Sequence, residues 1–139
     1  MKFLLDTNVI SEPLKPRPNR AVLEWLAAAD EDGIYLSVVS ITELRHGIER
    51  LAAGRKCNHL DQWLSEVLAR RFSGRILPID LETADACGKL AARSEKIGRP
   101  IEPRDAYIAA TAEVHALTLV TRNQSDFQPV LKTVLNPFT

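Results

Sequence analysis

Two spacings of hydrophobic residues alternate along this chain. Short apolar runs, Phe3-Leu4-Leu5, Ile34-Tyr35-Leu36, Ile76-Leu77 and Leu117 to Val120 with Thr118 inside it, are separated by longer stretches with apolar residues every third or fourth position. The short runs suit strands buried on both faces, and the longer stretches suit amphipathic helices. Thr7 or Asn8 can cap a first helix that begins at Val9-Ile10-Ser11. Lys15-Pro16-Arg17-Pro18 ends it, and Asn19 caps a second helix with Val22, Leu23, Trp25, Leu26 and Ala29 on one face. The second strand is expected to run from Ile34 into Val38 and Val39. Ser40-Ile41-Thr42-Glu43 matches a capping box, predicting a helix to about Ala53 that stops at Gly54, with a linker over residues 55–58.

Leu60, Trp63, Leu64, Val67 and Leu68 predict a further helix with these residues in the core, closed by Gly74. A third strand covers Arg75 to Ile79. Asp80 caps a long helix to about Lys96, with Ala84, Cys87, Leu90 and Ala91 inward and Gly98 as its stop. Pro103 suits the first turn of a helix that continues through the small residues Ala106 to Ala112. The fourth strand spans Leu117 to Thr121, a turn follows from Arg122 to Phe127, and Thr133-Val134-Leu135 reads as a short edge strand. This order predicts a three-layer α/β/α sandwich around a mostly parallel sheet.

Composition narrows the possibilities without naming one. A chain of 139 residues with 45% hydrophobic and 26% charged positions is expected to form one domain, residues 1–139. Eighteen basic and eighteen acidic residues cancel, so no global basic field marks a nucleic-acid clamp. A nuclease stays open, because its acidic site would offset basic surface elsewhere. Cys57 and Cys87 lack paired spacing and read as reduced thiols, and no apolar stretch is long enough to span a membrane, so a cytoplasmic location is expected.

The chemistry concentrates in four acids. Asp6 ends the first strand, Glu43 lies in the first turn of the helix after the second, Asp105 opens the helix before the fourth, and Asp126 sits in the turn after it. Each has a structural explanation by itself: a helix cap for Asp6, a capping-box acid for Glu43, a dipole partner for Asp105, an Asx turn for Asp126. Together they project to one edge of a parallel sheet, where open α/β folds bind ligands. Four carboxylates there repel one another, and a divalent cation resolves the conflict. Hard oxygen ligands suit Mg²⁺ or Mn²⁺, which activate water for in-line displacement at a phosphodiester. Thr7, Thr121 and Asn123 add neutral groups at the same edge. Arg17, Arg20, Arg45 and Arg104 are candidates to meet a phosphate backbone, although for any one of them solvated surface is the ordinary role.

Rival sites lack their residues. His46, His59 and His115 are scattered without the spacing of a zinc site, and neither a P-loop nor a G-x-S-x-G elbow is present. A haloacid-dehalogenase-type phosphotransfer site needs a second acid two residues after the first, where this chain has Asn8. A receiver-like phosphorylation module needs its acid on a middle strand with a partnering lysine, and neither is apparent.

Four segments in order carry a resemblance: Leu5-Asp6-Thr7-Asn8-Val9-Ile10-Ser11; Ser40-Ile41-Thr42-Glu43-Leu44 leading to Gly47 and Leu51; Pro103-Arg104-Asp105-Ala106 through Ala112; and Leu119-Val120-Thr121-Arg122-Asn123-Gln124-Ser125-Asp126-Phe127. With them the chain resembles a PIN domain over nearly its whole length, and within that superfamily the VapC toxins of toxin–antitoxin pairs, on the FitB-like branch. The resemblance implies a Mg²⁺- or Mn²⁺-dependent endoribonuclease that leaves a 3′-hydroxyl. It makes Asp6, Glu43, Asp105 and Asp126 the catalytic metal pocket, with Asp6 and Asp105 in direct contact, and Thr7, Thr121 and Asn123 supporting polar groups. It further implies a homodimer, and a VapB-like antitoxin over the pocket through which alone operator DNA is reached. A different kind of reading is a binding module that works mainly in the DNA-bound complex with its antitoxin.

Overall fold

The computed structural model describes residues Met1–Thr139. Its centre is a five-stranded sheet, all parallel, in the order β3-β2-β1-β4-β5. The strands are β1 (Phe3–Leu5), β2 (Ile34–Ser37), β3 (Ile76–Leu77), β4 (Thr118–Val120) and β5 (Val134–Leu135). Leu4 pairs with Tyr35 on one side and Leu119 on the other, so β1 is flanked on both edges. From β1 the chain builds outward through β2 and β3, then returns to add β4 and β5 on the opposite side. The order of the sheet therefore reverses between β1 and β4, the position at which open parallel sheets leave a crevice beyond their strand ends.

Side-chain alternation along the strands divides the core into two. Leu4 and Leu119 face one way, into a cluster with Leu90, Ile108, Ala109 and Phe127. Leu5 and Val120 face the other, against Val9, Val22, Leu36, Leu68 and Phe72. Strands with both faces apolar need helices on both, which gives the three-layer sandwich. The first face is covered by α6 (Leu81–Lys96) and α7 (Pro103–Val114). Helix α6 starts on the Asp80 cap, whose carboxylate accepts from Thr83 N at 2.9 Å. Its inward stripe is Thr83, Cys87, Leu90 and Ser94, whereas Ala84 is exposed. Ser94 is tolerated inside because its hydroxyl donates to Ala91 O and accepts from Ile101 N. Gly74 and Gly98 close their helices with φ of 78° and 75°, a conformation that favours glycine.

The second face is covered by α1 (Thr7–Ile10), α2 (Arg20–Ala28), α3 (Val38–Glu49), α4 (Arg55–Gln62) and α5 (Ala69–Arg71). Helix α2 buries Val22 but leaves Leu23 at the surface, and Trp25 meets the Phe3 ring edge-on at 5.0 Å. Several boundaries depart from the sequence expectation. Strand β2 stops at Ser37, and α3 begins at once with Ser37 as its cap, accepting from Val39 N at 3.0 Å. Ser40 is thus buried inside the helix, Glu43 lies in its second turn, and the expected capping box is not made. Helix α3 ends at Glu49, and Gly54 starts α4 instead of stopping α3, so residues 55–58 are helical. A π-helical turn over Trp63–Leu68 then interrupts the 3.6-residue repeat, keeping Leu64 and Leu68 inside while Val67 is 55% exposed. Residues 124–127 of the expected turn form the short helix α8 (Gln124–Phe127), with Phe127 as its anchor in the core. No helix is long and apolar enough to cross a membrane.

Candidate metal centre

Asp6 leaves β1 at the switch point and is 6% exposed. Its Oδ1 accepts from Thr7 N at 2.8 Å, and its Oδ2 accepts from the Thr121 hydroxyl at 2.8 Å and, at 3.5 Å, from Asn8 Nδ2. The cap of α1 is therefore Asp6 itself, and Thr7 and Asn8 are its first helical residues. Capping and metal binding do not compete here, because Oδ1, which caps α1 through Thr7 N alone, keeps a second lone pair. The backbone fixes the position, since Asp6 N donates to Val120 O at 2.9 Å and extends the β1–β4 ladder by one rung.

Thr121 is wholly buried and gathers that ladder's end. Its hydroxyl donates to Asp6 and accepts from Asn123 N at 3.0 Å and Asn8 Nδ2 at 3.4 Å. Asn123 takes part through its backbone N–H, which donates to Thr121, and the residue is exposed. Asn8 is a site residue that sequence reasoning treated only as a possible cap. Its Oδ1 accepts from Arg122 N at 3.1 Å, so one amide ties the end of β1 to the end of β4. The available signal was its position two residues after Asp6, in reach of the same carboxylate.

Glu43 and Asp105 complete the inner set. Thr7 Oγ1 lies within hydrogen-bond distance of Glu43 Oε1 (3.1 Å) and of the buried Ser40 Oγ (3.0 Å), and so links α1 to α3. Asp105 is the third residue of α7, which packs on the opposite face of the sheet. Burial pushes the Glu43 carboxyl above its ordinary range, the Arg104 charge opposes this, and the charges of Asp6 and Asp105 reinforce it. Burial also raises Asp105, followed by the charge of Asp6, against Arg104. Asp126 stands on α8, exposed, and adds a smaller repulsion on Asp105. It shares a polar crevice with Asp105, Glu102, Ser125 and Arg99.

The donor set is thus hard carboxylate oxygen in excess of local positive charge, which fits a divalent cation of the Mg²⁺ type. The observation that supports the fit is that Arg104 alone among the cations lies within 4 Å of Glu43 and Asp105, and none lies that close to Asp6. With the side chains as they stand, no group of three or more acidic, histidine or cysteine residues is disposed to hold an ion. Of the other arginines proposed from sequence, Arg45 is held by Asp61 at 2.7 Å and Glu49 at 3.4 Å, bracing α3 against α4, and Arg20 pairs with Glu24. Arg17 has no carboxylate within ion-pair distance.

Comparison with known proteins places the chain in a family. Residues 3–130 match the PIN domain family model. The chain is 42% identical over 136 residues to toxin FitB of Neisseria gonorrhoeae, covering 98% of both chains, and 37% identical to VapC ribonuclease Y4jK of Sinorhizobium fredii, covering 98% of this chain and 97% of that one. Among solved structures, FitAcB from Neisseria gonorrhoeae superposes with a TM-score of 0.93 at 41% identity, covering 97% of both chains. FitAB bound to a DNA fragment superposes with a TM-score of 0.95 at 39% identity, covering 99% of this chain and 96% of that one. A family match over nearly all of the chain and relatives above 30% identity lead to one conclusion: this protein belongs to the PIN domain family, in the group that includes toxin FitB and the VapC ribonucleases.

Proposed function

We propose that this chain is a Mg²⁺- or Mn²⁺-dependent endoribonuclease and the toxin of a toxin–antitoxin pair. The observation that carries the reading is the gathering of Asp6, Glu43 and Asp105 at the β1–β4 switch point, with Asp126 at its rim. Asp6, Glu43, Asp105 and Asp126 would hold the ion. When bound, it supplies an activated water and neutralises charge developing on an RNA phosphate. Thr121 and Asn8 hold Asp6 in position by donating to Oδ2, which leaves a lone pair of Oδ1 free, and Thr7 donates to Glu43 Oε1. The supporting shell is built from hydroxyls and an amide, which orient carboxylates without neutralising them.

The assembly follows from the relatives. FitAB and VapBC structures are toxin–antitoxin complexes, some bound to DNA, and relatives include VapC ribonucleases. We infer that a VapB-like antitoxin covers the pocket of this chain, that operator DNA is reached through that antitoxin, and that the toxin is a cytoplasmic homodimer acting as a single domain.

The direct test is cleavage of mixed cellular RNA by the purified protein with Mg²⁺ or Mn²⁺, with EDTA, and with an Asp6→Asn variant. Cutting that needs the metal and Asp6 supports the proposal. Failure to cut any RNA class under those conditions overturns it, and leaves binding within an antitoxin complex as the function.

A further inference from the structure

We propose that Arg104 is a tethered counter-ion: it lies over the carboxylate pocket when no divalent ion is present and turns outward to an RNA phosphate when one is. The inference rests on the metal-site reading above.

Its position is the first reason. Arg104 follows Pro103 and is the second residue of α7. The first turn of a helix carries the positive end of its dipole, which disfavours a cation. The helix therefore gains nothing from arginine there, whereas the pocket does. Nη1 lies 3.3 Å from Glu43 Oε2 and Nη2 3.9 Å from Asp105 Oδ1. One guanidinium thus bridges acids from α3 and α7, helices on opposite faces of the sheet. No other basic group comes within ion-pair distance of any of the four site acids.

Its looseness is the second. The Arg104 side chain is 58% exposed, against 20% for Glu43 and 15% for Asp105. The guanidinium is more exposed than either carboxylate it touches. Its two contacts go to different carboxylates, not as a fork onto one, which is the weaker geometry. A hard dication taking the same oxygens outcompetes such a pair. Once it does, Arg104 faces a like charge and is driven off. The group that next approaches that pocket in a nuclease is a phosphate, whose oxygens a guanidinium recognises in pairs.

The test is calorimetric titration of Mn²⁺ into the wild type, Arg104→Gln, Arg104→Lys and Asp6→Asn, with RNA-cleavage kinetics at saturating Mn²⁺ alongside. Removing the competing cation should tighten Mn²⁺ binding about two- to fivefold in Arg104→Gln, the worth of a loose exposed pair. Arg104→Lys keeps the cation and should bind Mn²⁺ about as the wild type does, while its KM for RNA rises because the paired contact is lost. The KM for RNA should rise about tenfold in Arg104→Gln with kcat little changed, reflecting a lost charged hydrogen bond to substrate. Equal or weaker Mn²⁺ binding in Arg104→Gln, with binding still lost in Asp6→Asn, overturns the proposal while leaving the metal site intact. An unchanged KM overturns its phosphate-binding half. No Mn²⁺ binding to the wild type overturns the metal site itself, and this proposal with it.

Discussion

The Thr121 hydroxyl donates to Asp6 Oδ2 at 2.8 Å across 115 positions of sequence. That bond spans the point at which the sheet reverses its order, and it is a fully buried contact between the ends of β1 and β4. Without it, a carboxylate 6% exposed would be held only by the helix it caps and a long contact to Asn8. The topology thus supplies the crevice, and Thr121 supplies the orientation of the acid within it.

Asp6→Asn separates structure from chemistry at this point. Asparagine caps helices about as well as aspartate, so α1 keeps its start and stability should change by no more than about 1 kcal/mol. The charge is lost, however, and with it a ligand whose ion is worth several kcal/mol in the transition state. Cleavage should fall by about a hundredfold or more, with an unchanged circular dichroism spectrum. An unfolded variant would instead mark Asp6 as a structural residue.

Thr121→Val preserves shape and removes the hydroxyl. It strips Asp6 Oδ2 of its shortest donor and leaves Asn123 N without its acceptor. Burial makes both losses count, at about 1–3 kcal/mol in denaturant unfolding. Loss of an orienting partner typically weakens metal binding by about 10–100-fold, which Mn²⁺ titration would read directly.

How much of this was legible in the sequence depends on range. The strands and the sites of Asp6, Asp105 and Asp126 were readable because short apolar runs bounded by acids are local patterns. Glu43 was located for the wrong reason. Ser40-Ile41-Thr42-Glu43 has the letters of a capping box, but Ser37 takes the cap three residues earlier, and Ser40 is drawn inside to meet Thr7. That pairing joins residues 33 apart in the chain, and no local motif encodes it. Gly54 reads as a stop because glycine favours helix ends, yet it caps the start of α4, a position that also tolerates glycine. The contacts that Asn8 and Ser40 make are not local patterns, because they depend on the β1–β4 pairing and the α1–α3 approach.

A divalent ion should stabilise the fold measurably. Asp6, Glu43 and Asp105 repel one another without one, and the ion binds only the arrangement that folding creates. At a free concentration of about 100 times its Kd, Mn²⁺ should contribute about 2.7 kcal/mol, a rise of several degrees in thermal midpoint. The wild type should show it and Asp6→Asn should not. An equal rise in both would place the binding elsewhere.

Ser37→Ala tests the reassigned start of α3. Its hydroxyl is the acceptor for Val39 N, and alanine removes it at a cost of about 1 kcal/mol. Unfolding in urea should show that loss, while cleavage should persist, because Glu43 lies more than a turn farther along and keeps its bond to Thr7. A loss of cleavage without a loss of stability would mean that Ser37 serves the site directly.

Glu12 gives the pH dependence. It is 4% exposed, with Lys15 Nζ 2.9 Å from Oε1 and Asn19 N donating to Oε2 at 2.7 Å. The Lys15 contact first, and then the Asn19 amide, hold its carboxyl below the ordinary range, with the charges of Lys15 and Arg122 adding to the effect. A carboxyl whose folded-state pKa is depressed stabilises the fold above its unfolded value of about 4.3, and that stability is lost as pH falls through the folded value. Glu12→Gln should therefore cost about 1.5–3 kcal/mol near neutral pH. The wild type's advantage should shrink once pH drops below about 4.3 and disappear below the depressed folded pKa. A gap between the two proteins that stayed constant down to low pH would show that the ionised form of Glu12 is not what ties the preceding chain to the start of α2.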